Sequence, residues 1–167
     1  MTNPQKRPKD KRLALIAGPT ASGKTALALQ LAQSHPVTII NADSAQVYGA
    51  LPILSAQPSA KEMASAPHRL FGYLDGREAC SAARWALDAK REIEMAWSED
   101  HLPLLVGGTG LYLRTLLDGI APIPEIDPEV RSAVRSLPTA EAYRALANTD
   151  ATSAAALSPN DDSRIKR

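Results

Sequence analysis

The eight residues Gly18-Pro19-Thr20-Ala21-Ser22-Gly23-Lys24-Thr25 constrain this chain more than any other stretch. They follow the apolar run Leu13-Ala14-Leu15-Ile16-Ala17 and lead into Ala26-Leu27-Ala28-Leu29-Gln30-Leu31-Ala32. Strand, glycine-bounded loop and helix, with the spacing G-x-x-x-x-G-K-[ST], spell a phosphate-binding loop. Successive backbone N–H groups form a concave anion nest, and the start of the helix adds partial positive charge. Gly18 and Gly23 permit backbone conformations that a side chain would obstruct. Lys24 supplies a mobile charge for terminal phosphates, and Thr25 a hydroxyl for Mg²⁺. A ligand carrying a di- or triphosphate is the expectation.

Charge and composition limit the alternatives. The 19 basic and 18 acidic residues nearly cancel, so a polyanion site has to come from local clustering. Lys6, Arg7, Lys9, Lys11 and Arg12 precede the first strand and read as part of a basic, disordered leader over 1–12. Arg164, Lys166 and Arg167 close the chain. Cys80 is the only cysteine, which leaves no disulfide framework and no cysteine-based zinc site. The histidines at 35, 68 and 101 show no ligand spacing and read as surface residues. Trp85 and Trp97 read as core or helix-face residues. No signal-peptide core and no apolar run of membrane-spanning length is present, so a cytoplasmic protein with no membrane partner is expected.

Further along, Val37-Thr38-Ile39-Ile40-Asn41 is a β-branched run typical of a buried parallel strand. A short helix is expected at 61–66 and a short strand within 67–73. Ser81 is the expected N-cap of a helix to Trp97. Leu102-Pro103-Leu104-Leu105-Val106 is a third strand, running into Gly107-Gly108-Thr109-Gly110 and a helix to about Leu117. Gly119 and prolines at 122, 124 and 128 mark a linker, and the rest is helical with breaks at Pro138, Asn148 and Ser158-Pro159. Alternating strands and helices predict an α/β, P-loop NTPase-like three-layer parallel sheet with helices on both faces. The phosphate loop, Asp43 and Thr109 then converge at the carboxyl ends of three strands. The expected organisation is a core at 13–121 and the beginning of a helical region at 122–167.

Two of these positions admit more than one role. Asp43 is a general base, an outer-shell Mg²⁺ group, or the N-cap of a short helix over 44–48. Thr109 either faces the crevice with its hydroxyl or caps the helix that follows. The strand ending at Val106 leads into no Asp or Glu, which disfavours the metal arrangement of motor-like ATPases and GTPases.

Taken together, Gly18 to Thr25, Asp43-Ser44-Ala45-Gln46-Val47-Tyr48 and Leu104-Leu105-Val106-Gly107-Gly108-Thr109-Gly110-Leu111-Tyr112-Leu113 resemble the tRNA dimethylallyltransferase (tRNA isopentenyltransferase) family. Pro67-His68, Ser81-Ala82-Ala83 and Asp127-Pro128-Glu129-Val130-Arg131 fall in the family's order. The resemblance implies that the loop, with Pro19, Thr20, Ala21 and Ser22 around it, holds the pyrophosphate of dimethylallyl diphosphate with Mg²⁺ assisting. The acceptor it implies is N6 of adenosine 37, next to the anticodon in the tRNA anticodon stem-loop. Asp43 becomes the general base and Thr109 its catalytic companion, with Asp43, Ser44, Ala45, Gln46 and Thr109 lining the approach of the flipped-out base. Arg131 and the terminal Ser163-Arg164-Ile165-Lys166-Arg167 become tRNA contacts. The helical region at 122–167 becomes the beginning of a tRNA-binding insertion in a monomeric enzyme.

The chain departs from the family in two ways. After Tyr48 the family commonly reads Arg-Gly-Met-Asp-Ile-Gly-Thr-Ala-Lys-Pro, where this chain has Gly49-Ala50-Leu51-Pro52-Ile53-Leu54-Ser55-Ala56-Gln57-Pro58. Family members are also considerably longer, so the chain is expected to be the N-terminal part of an enzyme, with its own turnover open. The competing readings are a small-molecule kinase using ATP, an adenylate isopentenyltransferase, and a scaffold that binds without turnover.

Overall fold

A computed structural model describes residues 11–120 and 126–167. The elements run β1 (Ala14–Ala17), α1 (Lys24–Ala32), β2 (Val37–Asn41), α2 (Ala60–Ser65), β3 (His68–Arg69), α3 (Ala82–Ser98), β4 (Leu102–Gly107), α4 (Gly110–Asp118), α5 (Pro128–Ser136), α6 (Thr139–Thr149), α7 (Ala151–Ala155) and α8 (Asp162–Ile165). They fall into two compact units, 1–120 and 121–167.

The first unit is a parallel sheet in the order β1-β4-β2-β3. Every residue of β2 is buried, as a parallel strand covered on both faces requires. Ala28 of α1 packs with Val37, Ile39, Leu104 and Val106 against one face. Trp85, Ala86, Ala89 and Ile93 of α3, with Tyr112 and Leu113 of α4, pack with Ile40 and Leu105 on the other. This is the expected three-layer α/β arrangement. Trp85 anchors the second face: it stacks on Tyr112 with ring centroids 4.6 Å apart, and its indole N–H donates to the Asn41 carbonyl at 2.9 Å. The helix that carries it starts at Ser81, whose hydroxyl accepts the Arg84 N–H.

The sheet closes tightly where β4 ends. The Ala42 N–H donates to the Val106 carbonyl, and the Thr109 N–H to the Ala42 carbonyl. The chain after β2 therefore lies directly on Gly107, where an added Cβ would stand 2.2 Å from the Ala42 carbonyl group. At Gly108 a Cβ would meet the Gly18 carbonyl oxygen at 2.9 Å. The Gly107-Gly108 pair is thus a packing requirement of the strand ends.

Several expectations are corrected. Lys11 and Arg12, expected in the disordered leader, are held against α3: the Lys11 ammonium pairs with Glu94 at 2.7 Å and lies over the Trp97 ring. The Arg12 carbonyl accepts the Trp97 indole N–H at 2.7 Å. Residues 1–10 of that leader, and prolines 122 and 124 of the linker, lie outside the described residues. β3 spans only two residues of the expected 67–73, because Leu70 and Gly72 adopt left-handed φ values of 61° and 56° that end the strand. No helix forms over 44–48, where the chain turns instead. Pro128 is the first residue of α5 rather than linker, a position where a missing N–H is harmless, and Asp127 caps that helix. Asn148 breaks nothing: α6 continues to Thr149, and Asp150 then caps α7.

Gly107→Ala is expected to destabilise the first unit by at least about 3 kcal/mol, since backbone has to move to admit the methyl group. Gly110→Ala, with open space at its Cβ, is expected to be neutral or stabilising by up to about 1 kcal/mol. Urea unfolding of the two variants side by side checks the contrast.

Candidate functional site: a phosphate loop facing a carboxylate

The loop from Gly18 to Thr25 presents an unsatisfied helix start. Gly23 ends it at φ 82° and Ala21 stands at φ 61°, so two left-handed residues fold the chain back on itself. α1 begins at Lys24 with no side-chain cap and no acidic residue in its first turn. In the same unit, α2 is closed by a Ser59–Glu62 capping box and α3 by Ser81, while α4 also starts without a side-chain cap but has no glycine loop folded by left-handed residues before it. The free N–H groups and positive end of α1 are therefore left for an anion. The Lys24 ammonium donates to the Pro19 carbonyl at 2.6 Å, which holds it across the loop.

Asp43 follows β2 and is held by its neighbours' side chains. Asn41 is fully buried: its Oδ1 accepts the Asp43 N–H at 2.8 Å, and its Nδ2 donates to the carbonyls of Asp43 and Leu70, each at 3.0 Å. Thr109 holds the next residue. Its hydroxyl accepts the Ser44 N–H at 2.9 Å and donates to the Ser44 hydroxyl at 3.2 Å, and it makes no side-chain cap on α4. One Asp43 oxygen accepts the Ala45 N–H at 2.9 Å. The other makes no hydrogen bond among the described residues and is left for chemistry.

The loop and the carboxylate line one crevice of about 510 Å³. Thr20 to Thr25 contribute to it, as do Asp43, Ala45 and Gln46, and Ile39, Phe71 and Val106 give it an apolar wall. Gly18, Pro19, Ser44 and Thr109 are not part of this lining; they shape it from behind through the contacts described above. His68, expected at the surface, is half-buried on β3 and lines the crevice. Its Nδ1 sits 2.8 Å from the Ala66 carbonyl and has to donate to it, and its Nε2 is buried and unpartnered among the described residues. Sequence reasoning missed Asn41 and His68 as site residues. The one usable signal was an amide residue, Asn41, closing the β-branched run of β2.

The stretch that departs from the family is reorganised. A side chain at Gly49 would run into the Gly72 carbonyl oxygen, 2.9 Å from an added Cβ. Gln57, where the family pattern has Lys, donates its amide to the Tyr48 carbonyl at 2.8 Å.

Within the second unit, a groove of about 750 Å³ brings Arg131 and Arg135 together with Ser163, Ile165, Lys166 and Arg167. Their availability differs. Arg131, Ser163 and Arg167 are exposed, and Arg164, also exposed, leans on Asp161 at 3.5 Å. The Lys166 side chain is only 12% exposed, and its ammonium pairs with Asp162 at 2.6 Å and reaches the Arg135 carbonyl. Hydrogen bonds from Lys166, then Thr139, hold the Asp162 carboxyl below the usual carboxylate range. Ile165 is buried and packs the unit.

A parallel sheet whose first strand runs into an uncapped glycine loop and helix defines a phosphate-loop α/β protein. Comparison with known proteins narrows the class. The family model for IPP transferase matches residues 46–167. A tRNA dimethylallyltransferase of Sphingopyxis alaskensis is 58% identical over 156 residues, covering 93% of this chain and 51% of that protein. Among solved structures, the tRNA isopentenylpyrophosphate transferase of Bacillus halodurans superposes with a TM-score of 0.65 at 33% identity, over 94% of this chain and 54% of that one. A eukaryotic dimethylallyltransferase solved acting on tRNA superposes with a TM-score of 0.80 at 29% identity, over 93% of this chain and 40% of that one. The chain belongs to the IPP transferase family, and it spans about half the length of the curated relatives it matches.

Lys24→Ala is expected to weaken binding of inorganic pyrophosphate about tenfold, the difference between a charged and a neutral hydrogen-bond partner for the ammonium. Isothermal titration calorimetry on the wild-type chain and the variant reads this directly.

Proposed function

We propose that this chain forms the donor site and proton-accepting site of a prenyl transfer. The dimethylallyl group of dimethylallyl diphosphate passes to N6 of adenosine 37, beside the anticodon of tRNA. The carrying observation is the single crevice lined by both an anion-receiving loop and a carboxylate with one unengaged oxygen. In the reaction the bond between the prenyl carbon and the diphosphate oxygen breaks, and a bond from that carbon to N6 forms. The amine proton goes to Asp43, and diphosphate leaves. An exocyclic amine conjugated with its ring is a weak nucleophile, so a carboxylate that accepts the proton as the bond forms is the help it needs. The loop N–H groups and Lys24 stabilise the charge that develops on the leaving group.

The donor set fits Mg²⁺, which characteristically takes one or two protein oxygens and completes its shell with phosphate and water. Thr25 lines the crevice at the first turn of α1 with a hydroxyl that makes no hydrogen bond among the described residues. It would hold the ion, which when bound adds charge neutralisation at the diphosphate. The apolar wall of Ile39, Phe71 and Val106 suits a prenyl chain. The kinase reading has less support, because β4 ends at Gly107 and supplies no carboxylate for a nucleotide-bound metal. An adenine has to leave its stack to reach a crevice of this kind, which suits a flexible RNA loop. The exposed Arg131, Arg164 and Arg167 support backbone contacts, whose affinity falls as salt rises.

Incubation with labelled dimethylallyl diphosphate and undermodified tRNA is expected to place label in RNA. Phosphorylation of a small metabolite by ATP, with no label transferred, would overturn the reading. Asp43→Asn is expected to lower transfer by about a hundredfold or more, the usual worth of a positioned base, and to leave pyrophosphate affinity within about threefold, since no loop contact is lost. Equal loss of both would show that Asp43 organises the ligand instead.

A further inference from the structure

The apolar wall of the crevice ends on a fixed ring. In sheet order the phosphate loop follows β1 at one edge, and Phe71 comes just after β3 at the other. Val106 on β4 and Ile39 on β2 lie between them, and all three side chains line the same crevice. Neighbouring strands stand about 4.8 Å apart, so the wall runs roughly 10 Å from β4 to the edge where Phe71 stands.

Main-chain bonds pin Phe71 on both flanks. The Asn41 amide donates to the Leu70 carbonyl at 3.0 Å, and the Gly72 N–H donates to the Gln46 carbonyl at 2.8 Å. Leu70 and Gly72 both take left-handed φ values, and between them the chain sends Leu70 into the core under α3 and Phe71 to the α1 side. Behind the Phe71 ring stands His68, in an edge contact with ring centroids 5.4 Å apart. The His68 Nδ1 donates to the Ala66 carbonyl at 2.8 Å, so the backing ring is itself tied to main chain.

A donor whose diphosphate lies in the loop has its hydrocarbon to place along this wall. On the reading that the donor is a prenyl diphosphate, we infer that Phe71 sets the length of chain the crevice accepts. A five-carbon unit lies along Val106 and Ile39 and ends against the Phe71 ring, whereas a ten-carbon chain runs into it. A single methylene in an apolar pocket is worth about tenfold or more in discrimination, and here the difference is five carbons. Truncating an aromatic side chain in such a wall leaves an apolar cavity, which stays dry and takes an apolar guest. The phosphate contacts are untouched by it.

The test compares three ligands that share the diphosphate: inorganic pyrophosphate, dimethylallyl diphosphate and geranyl diphosphate. Calorimetry with Mg²⁺ and without RNA reads binding alone, since no acceptor is present. Wild-type protein is expected to hold dimethylallyl diphosphate about tenfold more tightly than pyrophosphate, and geranyl diphosphate about tenfold more weakly than dimethylallyl diphosphate. Phe71→Ala is expected to reverse the order of the two prenyl ligands and to leave pyrophosphate affinity within about threefold. Phe71→Leu keeps an apolar side chain in the wall, and it is expected to bring the two prenyl ligands within about threefold of each other. It decides the matter should Phe71→Ala lose pyrophosphate binding together with its fold. A variant that binds pyrophosphate and still rejects the geranyl chain overturns the role of Phe71, as does a wild-type chain that takes both prenyl ligands equally. Either result leaves the prenyl reading standing. A wild-type chain that binds pyrophosphate and gains nothing from the dimethylallyl group overturns that reading itself.

Discussion

The crevice depends on one close approach. The end of β4 lies between the end of β2 and the phosphate loop, and it admits both only because it carries no side chains there. Ala42 lies on Gly107 and Gly18 lies against Gly108. Two main-chain hydrogen bonds, from the Ala42 N–H to Val106 and from the Thr109 N–H to Ala42, lock the first of these contacts. A methyl group at either glycine would spread the strand ends. The carboxylate after β2 and the nest after β1 would then belong to separate surfaces instead of one cavity.

Thr109 and Asn41 complete that joint with side chains. Each hydrogen-bonds main chain at the β2 exit, Asn41 from within its own strand and Thr109 from the adjacent one. With both flanks of Asp43 held, its carboxylate keeps little freedom, and the Ala45 N–H takes one of its oxygens. On the proposed reading of Asp43 as proton acceptor, preorganisation of this kind spares a reaction the cost of arranging the base while the bond forms. Burial serves the same joint from the other face. Trp85, enclosed and stacked on Tyr112, donates to the Asn41 carbonyl, so α3 packing carries through to the site.

Much of this was legible in the sequence, for physical reasons that differ by element. The phosphate loop is a local motif in which spacing alone dictates conformation, and Lys24 and Thr25 fall where that spacing puts them. β2 and β4 were legible because neither alternates polar with apolar residues: Val37, Ile39 and Ile40 in one, and Leu104, Leu105 and Val106 in the other, have to be buried on both faces. Thr109 stood open between two roles because its bond to Ser44 spans 65 residues of sequence, and no local pattern encodes such a pairing. Asn41 was missed although its bonds to Asp43 are local, since its burial against Leu70 comes from 29 residues away. His68 was missed because only the pairing of β3 with β2 brings it to the crevice. The short β3 was overextended because its ends are set by left-handed residues at Leu70 and Gly72, and leucine gives no warning of that conformation.

The free loop also shows how binding strength is set. Lys24 is not idle without a ligand, since its ammonium already donates to the Pro19 carbonyl. An arriving diphosphate has to displace that acceptor, so the gain is the difference between a charged and a neutral partner rather than a whole hydrogen bond. Ala21 stands at φ 61°, a conformation that costs a non-glycine residue about 1 kcal/mol and that the surrounding loop has to sustain. Moderate grip of this kind suits a site from which an anion has to leave as well as enter. The uncapped start of α1 fits the same logic, because a serine or aspartate cap there would strengthen the helix and occupy the N–H groups the anion needs.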